Sequence, residues 1–326
     1  MAAADPVRIW AVSDGRAGIE AQALGLAEAI ARQRPAVIEV KRIVWKAGWG
    51  RLPWRLIPRA ALTGDPIAAP YPDIWIAAGR ATLPLSARVR AWTSGQTFVV
   101  QTQKPRAPLD RFDLVVPPEH DRLTGPNVFP ILGAPNRLTP ERLAQALAAF
   151  PALQTLPHPR VAIIIGGTSR AYRLPPTRAR SLADEIRTAV SDAKGAVMIS
   201  FTRRTPADAR QIITRALKNL PGVIWDGSGE NPYFAYLAAA DVVLVTEDST
   251  NLATDAAATG KPVFRLALPG RSEKLARFHA EMERRGLSSP FTGALDGKPS
   301  QPLFETDRAA LEVLRRYDAS RQARYA

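Results

Sequence analysis

The chain has 326 residues, 46% of them hydrophobic and 23% charged: too long for one compact domain and rich enough in apolar side chains for two cores. It has no cysteine, which excludes disulfide scaffolds, thiolate metal sites and cysteine nucleophiles. Lys and Arg number 44 against 30 Asp and Glu, a net +14 that divides as +7 in residues 1–137 and +7 in 138–326, so an anionic ligand or surface is implied and a single basic tail is not.

No stretch approaches the roughly 18 apolar residues that a membrane span needs. Met1 to Arg8 carry an acid, Asp5, where a signal peptide wants a basic start, so a cytoplasmic protein is expected. Residues 7–13 are an apolar run ending in Ser13-Asp14-Gly15, the pattern of a buried parallel strand meeting a turn. Residues 17–34 follow with Ala21, Leu24, Ala27 and Ile30 at helical spacing. Strands are predicted at 37–43, 73–78, 97–101 and 112–116, with a helix over 83–92. This is the βαβ rhythm of a parallel sheet covered by helices. From 40 to 64 there is no acid, while Lys41, Arg42, Lys46, Arg51, Arg55 and Arg59 interleave with Trp45, Trp49 and Trp54. The tryptophans are spaced roughly as one helical face until Pro53 interrupts it, and indole with cations suits an anionic bilayer surface. Packing of the first domain beneath a solvated basic rim is the competing reading.

Around 138–159 the rhythm relaxes into one short helix, with Thr139 as cap and Pro140 in its first turn, and then proline-rich sequence, which reads as a linker. Beyond it strands are predicted at 160–165, 196–200, 223–225, 242–245 and 262–266. Helices fit at 177–191, 206–217, 232–239, 249–259, 272–285 and 307–324. The expected domains are therefore 1–137, a linker at 138–159, 160–303, and a C-terminal helix at 304–326 packing back toward the first domain.

In open parallel sheets ligands bind outside the carboxyl ends of the strands, and the residues after each strand here are polar. Ser13-Asp14-Gly15-Arg16-Ala17-Gly18 precedes Glu20 and Gln22; it could meet an anion or a sugar, or be a tight turn capped by Asp14. Gly166-Gly167-Thr168-Ser169 is a small-residue loop that could cradle a diphosphate. In Thr246-Glu247-Asp248-Ser249-Thr250-Asn251 the carboxylates could hold sugar hydroxyls while Ser249 and Thr250 face phosphate; the alternative is a helix cap with acids near its dipole. Asp226 to Tyr233, including Asn231, is a polar elbow. Arg203-Arg204 places two guanidiniums at a strand end, suited to phosphate. His120, between Glu119 and Asp121, fits a general base, though a lone loop histidine is more often a structural hydrogen-bonder. The chain lacks a G-x-G-x-x-G after a strand, a P-loop around Gly260-Lys261, a G-x-S-x-G elbow and an H-E-x-x-H. It also lacks the D-x-D that holds metal in many sugar transferases, so no metal is expected.

The segment Ser13-Asp14-Gly15-Arg16-Ala17-Gly18-x-x-x-Gln22, with Gly25-Leu26-Ala27-Glu28-Ala29, resembles the mitochondrial-fission Elm (elongated mitochondria)-like family of plants and proteobacteria. Matches continue through Ala77-Ala78-Gly79-Arg80, Gln101-x-Gln103-x-Pro105, Phe112-Asp113-Leu114-Val115-x-Pro117-x-Glu119-His120-Asp121 and Gly125-Pro126-Asn127-Val128. They run on through Gly166-Gly167-Thr168-Ser169, Arg203-Arg204-Thr205-Pro206, Gly229-x-Asn231-Pro232-Tyr233, Asp248-Ser249-x-Asn251 and Thr259-Gly260-Lys261-Pro262-Val263. The resemblance covers nearly the whole chain. It implies two Rossmann-like α/β domains facing across a cleft, as in glycosyltransferases of the GT-B class, and for bacterial members a role in lipopolysaccharide or glycolipid assembly. Glu247 and Thr250 depart from the family pattern, which bears on donor preference.

Together these readings imply a metal-independent glycosyltransferase of the hexosyl- or uronosyl-transferase class. Its co-substrate is a nucleotide-diphosphate-sugar and its acceptor a glycolipid or lipopolysaccharide-type molecule; no cofactor is expected. Donor contacts fall to Gly166, Gly167, Thr168, Ser169, Arg203, Arg204, Asn231, Asp248, Ser249 and Asn251. The acceptor side takes Gly15, Gly18, Gln22, Gly79, Arg80, Gln101, Gln103 and Glu119, with Asp14 or His120 as base. Trp45, Trp49, Trp54, Arg51 and Arg55 would meet an anionic membrane surface, peripheral on the inner face of the inner membrane. The alternative is a non-catalytic scaffold that binds a membrane-associated protein. An epimerase is disfavoured for want of a dinucleotide fingerprint, and nucleic acid is not an expected partner, since no recognition helix or RNP-type strand is present.

Overall fold

The structure is a computed structural model describing residues 5–325; residues 1–4, part of the stretch read above for a leader, and Ala326 lie outside the described residues. The chain divides into two units, Met1–Arg137 with Phe304–Ala326, and Leu138–Leu303. Among the described residues no helix is long and apolar enough to cross a membrane.

Strands that are apolar on both faces must be covered on both. In unit 1 these are β1 (Val7–Ser13), β3 (Ile74–Ala77), β4 (Phe98–Thr102) and β5 (Leu114–Val116), joined at the edge by the more exposed β2 (Ala36–Arg42), all parallel, in spatial order β2-β1-β3-β4-β5. The strand period of two divides their side chains cleanly. Ile9, Ala11, Ile74, Ile76 and Val100 share one core with Leu26 and Ile30 of α1 (Ala17–Gln33). Trp10, Val12, Trp75, Ala77 and Val99 share the other with Leu85 and Val89 of α2 (Leu83–Trp92). The C-terminal helix α9 (Glu305–Tyr325) adds Ala309, Val313 and Tyr317 to the first core, with the Tyr317 ring edge-on to Phe98 at 6.0 Å. Arg34 clamps it through both oxygens of Asp318, at 2.8 and 2.7 Å.

Unit 2 carries β6 (Arg160–Ile165), β7 (Ala196–Phe201), β8 (Gly222–Ile224), β9 (Val242–Thr246), β10 (Val263–Leu266) and β11 (Ser289–Pro290) in spatial order β11-β10-β9-β6-β7-β8. Counted from β6 this is the doubly-wound order 3-2-1-4-5-6. Its helices are α3 (Pro140–Ala149), α4 (Pro176–Asp192), α5 (Ala207–Leu217), α6 (Tyr233–Ala239), α7 (Thr250–Ala258) and α8 (Glu273–Arg284). The two-residue β11, ending in proline, has no sequence signature and was not expected. The segment 138–159 differs from a linker: it lies inside unit 2, where α3 packs on α6 and the Arg142 guanidinium sits 5.8 Å from the Phe234 ring centre. Thr139 caps α3 by accepting the Arg142 amide at 3.1 Å.

Gly25, midway along α1, lies against the backbone of Asn136, whose amide is held by the Thr306 hydroxyl at 3.0 Å. A Cβ there would stand 2.6 Å from the Asn136 carbonyl carbon and closer still to its oxygen. Although alanine is the better helix former, Gly25→Ala is expected to destabilise unit 1 by about 1–3 kcal/mol through overpacking. Urea denaturation checks this, and a wild-type midpoint would refute the close approach.

Candidate functional site

In unit 2 the strand order reverses between β6 and β9, so the loops leaving these two strands flank the switch point where doubly-wound sheets bind ligands. Gly166-Gly167-Thr168-Ser169 follows β6, Arg203-Arg204 follows β7, and Glu247-Asp248-Ser249 follows β9. The structure brings these together in one network. The Gly166 amide donates to Thr246 Oγ1 at 2.7 Å, and that hydroxyl donates to Asp248 Oδ1 at 2.7 Å. The Gly167 amide also donates to the Asp248 carboxylate. Asp248 Oδ2 faces Arg204 Nη2 at 2.7 Å. The Thr168 amide donates to the Arg204 carbonyl at 3.1 Å, and the Thr205 hydroxyl donates to the carbonyls of Ile165 and Gly166.

This network changes two readings made from sequence. The amides of Gly166, Gly167, Thr168 and Ser169, read as a phosphate cradle, are taken: Ser169 N–H donates to the Tyr172 carbonyl at 2.9 Å. The glycines serve close approach instead. A Cβ on Gly166 would collide with the Asp248 carboxylate and stand 2.7 Å from Thr246 Oγ1; one on Gly167 would collide with the Arg204 backbone. Asp248 itself, read as a sugar-hydroxyl ligand, has a side chain with no exposure to solvent. Burial pushes its carboxyl up, and Arg204 pulls against that shift. The neighbouring Glu247 also points inward, accepting the Leu268 amide at 2.6 Å. Ser249 caps α7 through the Leu252 amide, and Asn231 accepts the Tyr233 amide at 3.0 Å. Asn251 stands in the first turn of α7.

The open groups at this edge are cations. Arg204 keeps 36% of its side-chain exposure despite the ion pair, and Arg170, Arg203 and Arg271 make no side-chain hydrogen bond or ion pair among the described residues. Arg170 and Arg271 escaped the sequence reading. A backbone stitch brings their loops together, with Arg173 N–H donating to the Pro269 carbonyl at 2.8 Å and Arg271 N–H to the Ala171 carbonyl at 3.0 Å. Two further ties were missed. Buried His279 of α8, pushed down to about 4 by desolvation and so neutral, has Nε2 2.8 Å from the Glu247 carbonyl. The Tyr233 hydroxyl donates to Asp255 at 2.8 Å, joining α6 to α7. Lys261, in the failed P-loop match, caps α6 by donating to the Leu237 and Ala238 carbonyls.

Unit 1 reverses its strand order between β1 and β3. Asp14 and Gly15 follow β1 and Gly79 and Arg80 follow β3, so these four stand at the switch point. Gly79 has φ +84, and a Cβ there would meet Ile19 Cγ2 at 2.9 Å. Asp14 holds Arg16, its Oδ2 2.8 Å from Nε and its Oδ1 3.2 Å from the amide. Gly18 lies in the exposed first turn of α1. Gln22 Oε1 accepts Gln103 Nε2 at 2.9 Å, drawing α1 to the end of β4. Gln101, 2% exposed, leaves its Oε1 without a hydrogen-bond partner among the described residues. His120 is not in this group. It and Glu119 occupy a single 3-10 turn after β5, His120 is buried, and β5 lies three strand positions from β1, roughly 14 Å. Asp14 and His120 therefore do not form one acid–base pair at the strand ends.

The basic, tryptophan-bearing segment forms no α-helix. It folds as three one-turn 3-10 helices, Trp49–Arg51, Trp54–Leu56 and Arg59–Ala61. Trp45 and Trp54 pack on the second core; Trp45 Nε1 donates to the Ala81 carbonyl at 2.9 Å, and Arg55 and Arg88 stack on Trp54. Trp49 is partly exposed. The side chains left outside are Leu56 at 62%, Val44 at 53% and Leu52 at 39%, beside exposed Lys46, Arg51 and Arg55.

Asp255 yields a pH test. Burial pushes its carboxyl from 3.8 up to about 7, against the Tyr233 hydrogen bond. A carboxyl that binds its proton more tightly when folded contributes stability below its unfolded pKa and loses it as pH rises through the folded one. Stability is thus expected to fall between about pH 4 and 7, and Asp255→Asn should flatten that fall by about 1 kcal/mol or more. Parallel pH profiles of wild type and variant in urea melts would refute it.

Comparison with known proteins gives the family. The family described as "Mitochondrial fission ELM1" matches residues 17–317. The mitochondrial fission protein ELM1 of Arabidopsis thaliana is 32% identical over 272 residues, 75% of this chain; the aligned region spans 64% of that relative's length. Among solved structures, one described as a UDP-N-acetylglucosamine 2-epimerase from Listeria monocytogenes is similar with TM-score 0.54 at 14% identity, covering 97% of this chain and 91% of that one. A glycosyltransferase of kitacinnamycin is similar at TM-score 0.50 and 14% identity, covering 98% and 95%. These likenesses show a two-domain α/β fold shared by glycosyltransferases and UDP-sugar epimerases. By sequence, the chain belongs to the mitochondrial fission ELM1 family.

Proposed function

We propose that this protein is a glycosyltransferase that binds a nucleoside-diphosphate-sugar at the switch point of unit 2 and transfers the sugar, without a divalent metal, to a lipid-linked or lipopolysaccharide-type acceptor. One observation carries the reading: three strand-end loops are locked together at β6 and β9, and four arginines stand on loops at the same sheet edge, three of them without a side-chain hydrogen bond or ion pair among the described residues. The departing nucleoside diphosphate gathers negative charge as the glycosidic bond breaks, and preorganised cations stabilise it in place of a metal. Arg203 and Arg204 take that role. Asp14, at the switch point of unit 1, removes the acceptor hydroxyl proton, with His120 the alternative.

The same fold houses UDP-sugar epimerases, so the missing dinucleotide fingerprint does not weigh against one, and the test separates the two. Incubated with UDP-, GDP-, CMP- and TDP-sugars, a transferase leaves the donor sugar unepimerised and consumes it when a lipid-linked acceptor is added. An epimerase converts it alone. Asp14→Asn is expected to lower turnover at least 100-fold and spare donor binding. Full activity in both Asp14→Asn and His120→Asn, or loss of activity with EDTA, would overturn the mechanism.

The acceptor's setting follows from the exposed segment. Leu52, Leu56 and Val44 among Lys46, Arg51 and Arg55, with no acid from 40 to 64, fit the surface of an anionic bilayer, each cation adding up to about 1 kcal/mol. Binding to phosphatidylglycerol vesicles should fall with salt and be lost in Leu52→Ser/Leu56→Ser, whereas Trp45→Ala should lower stability. Equal binding to neutral vesicles, or none to either, would refute the surface. Vesicle binding without any sugar-nucleotide chemistry would favour the scaffold reading, consistent with a relative named for mitochondrial fission.

A further inference from the structure

The geometry points to Asp248 as a positioning residue that aims Arg204 at the donor diphosphate without touching the donor itself. This inference rests on the glycosyltransferase reading and deepens it. Asp248 cannot be a ligand as it stands: its side chain is sealed from solvent, with Oδ1 accepting the Thr246 hydroxyl and Oδ2 ion-paired at 2.7 Å to Arg204 Nη2. Arg204 can be one. It is partly exposed, and among the described residues its side chain makes no polar tie beyond the ion pair with Asp248, so several of its five N–H donors stay open for an anion.

The layout explains why a carboxylate is needed. Asp248 follows β9 and Arg204 follows β7, and β6 lies between those strands. The ion pair therefore crosses the end of β6, and it does so over Gly166-Gly167, where any Cβ would obstruct it. Holding together the ends of three strands does not in itself require charge. The threonine hydroxyls of Thr202, Thr205 and Thr246 already do that work, each bonded to the Gly166 peptide groups. A buried carboxylate costs desolvation that apolar packing avoids. What it supplies is a fixed direction for one guanidinium, whose planar fork then loses little freedom on meeting a diphosphate. Arg203, next in the chain, is the internal contrast: exposed, and without a side-chain hydrogen bond or ion pair among the described residues to aim it.

A double-mutant cycle on the full chain decides the matter, with UDP and inorganic pyrophosphate as probes in isothermal titration. Asp248→Asn preserves shape and most hydrogen bonds and is expected to weaken both probes about tenfold, as is Arg204→Gln. The signature is coupling: with Asn at 248, Arg204→Gln should cost less than about twofold more. A tie that served only to hold the strand ends together would lower the melting temperature without producing that coupling. Should Asp248→Asn not fold, Arg204→Lys, which keeps the charge but loses the fork, is expected to weaken pyrophosphate about tenfold. Multiplicative losses, or wild-type affinity in Asp248→Asn or Arg204→Lys, would overturn the positioning role while leaving the donor site standing. A wild-type protein that binds neither probe would overturn both this role and the transferase reading.

Discussion

A strand that ends inside a parallel sheet delivers peptide groups to a place where water is scarce, and each unsatisfied one costs on the order of 1–3 kcal/mol. At β6, the central strand of unit 2, the chain meets this constraint from its neighbours. The carbonyls of Ile165 and Gly166 accept hydroxyls from the β7 loop, and the Gly166 amide finds Thr246 from β9. Only a residue without a side chain can receive bonds from both directions at such short range. The glycine pair is therefore a saddle on which two other loops sit, and the positions of Arg204 and Asp248 follow from it.

The consequences spread outward from that saddle. Glu247 is turned away from the edge because its carboxylate satisfies the Leu268 amide and its carbonyl faces His279 of α8. The loop after β6 pairs with the loop after β10 through Tyr172 and Gly270. Four loops are thus ordered by bonds to one another, through hydroxyls and carboxylates as well as backbone, which is the preorganisation that binding a charged, flexible diphosphate rewards. The corresponding edge of unit 1 also carries polar ties. Its ties run through side chains, Ser13 to the Gly15 amide and Gln22 to Gln103, and a buried Gln101 oxygen still lacks a donor among the described residues.

The fold was legible because its strands are short, doubly buried and separated by helices of ordinary period. The strand at 160–165 and the helix over 83–92 coincide with β6 and α2 to the residue. The placement of polar residues after strands was legible for the same reason. Their roles were not, because a sequence shows which groups reach an edge and not which partners they find there. Asp248 reads as an open carboxylate until Arg204 arrives from 44 positions upstream. The tryptophans of 45–54 read as a membrane face because helical periodicity was assumed. The segment folds instead as single 3-10 turns around Pro53, and the indoles of Trp45 and Trp54 turn inward while Trp49 stays partly exposed and the leucines stay out.

The surplus of arginine has a cause that charge counting hides. Many guanidiniums serve as bridges to carbonyl oxygens at places where the chain bends without regular structure. Arg88 holds the carbonyls of Arg55, Ile57 and Pro84, fixing the irregular crossover between β2 and β3. Arg80 holds that of Arg51, Arg308 that of Pro130, Arg316 that of Pro126 and Arg324 that of Gln96. A chain with 29 prolines has many carbonyls whose usual amide partner is missing, and a five-donor side chain is the efficient way to serve them. Arg170, Arg203 and Arg271 serve no such bridge: among the described residues their side chains bond to no carbonyl and no acid, and all three lie on loops that leave the same edge of one sheet.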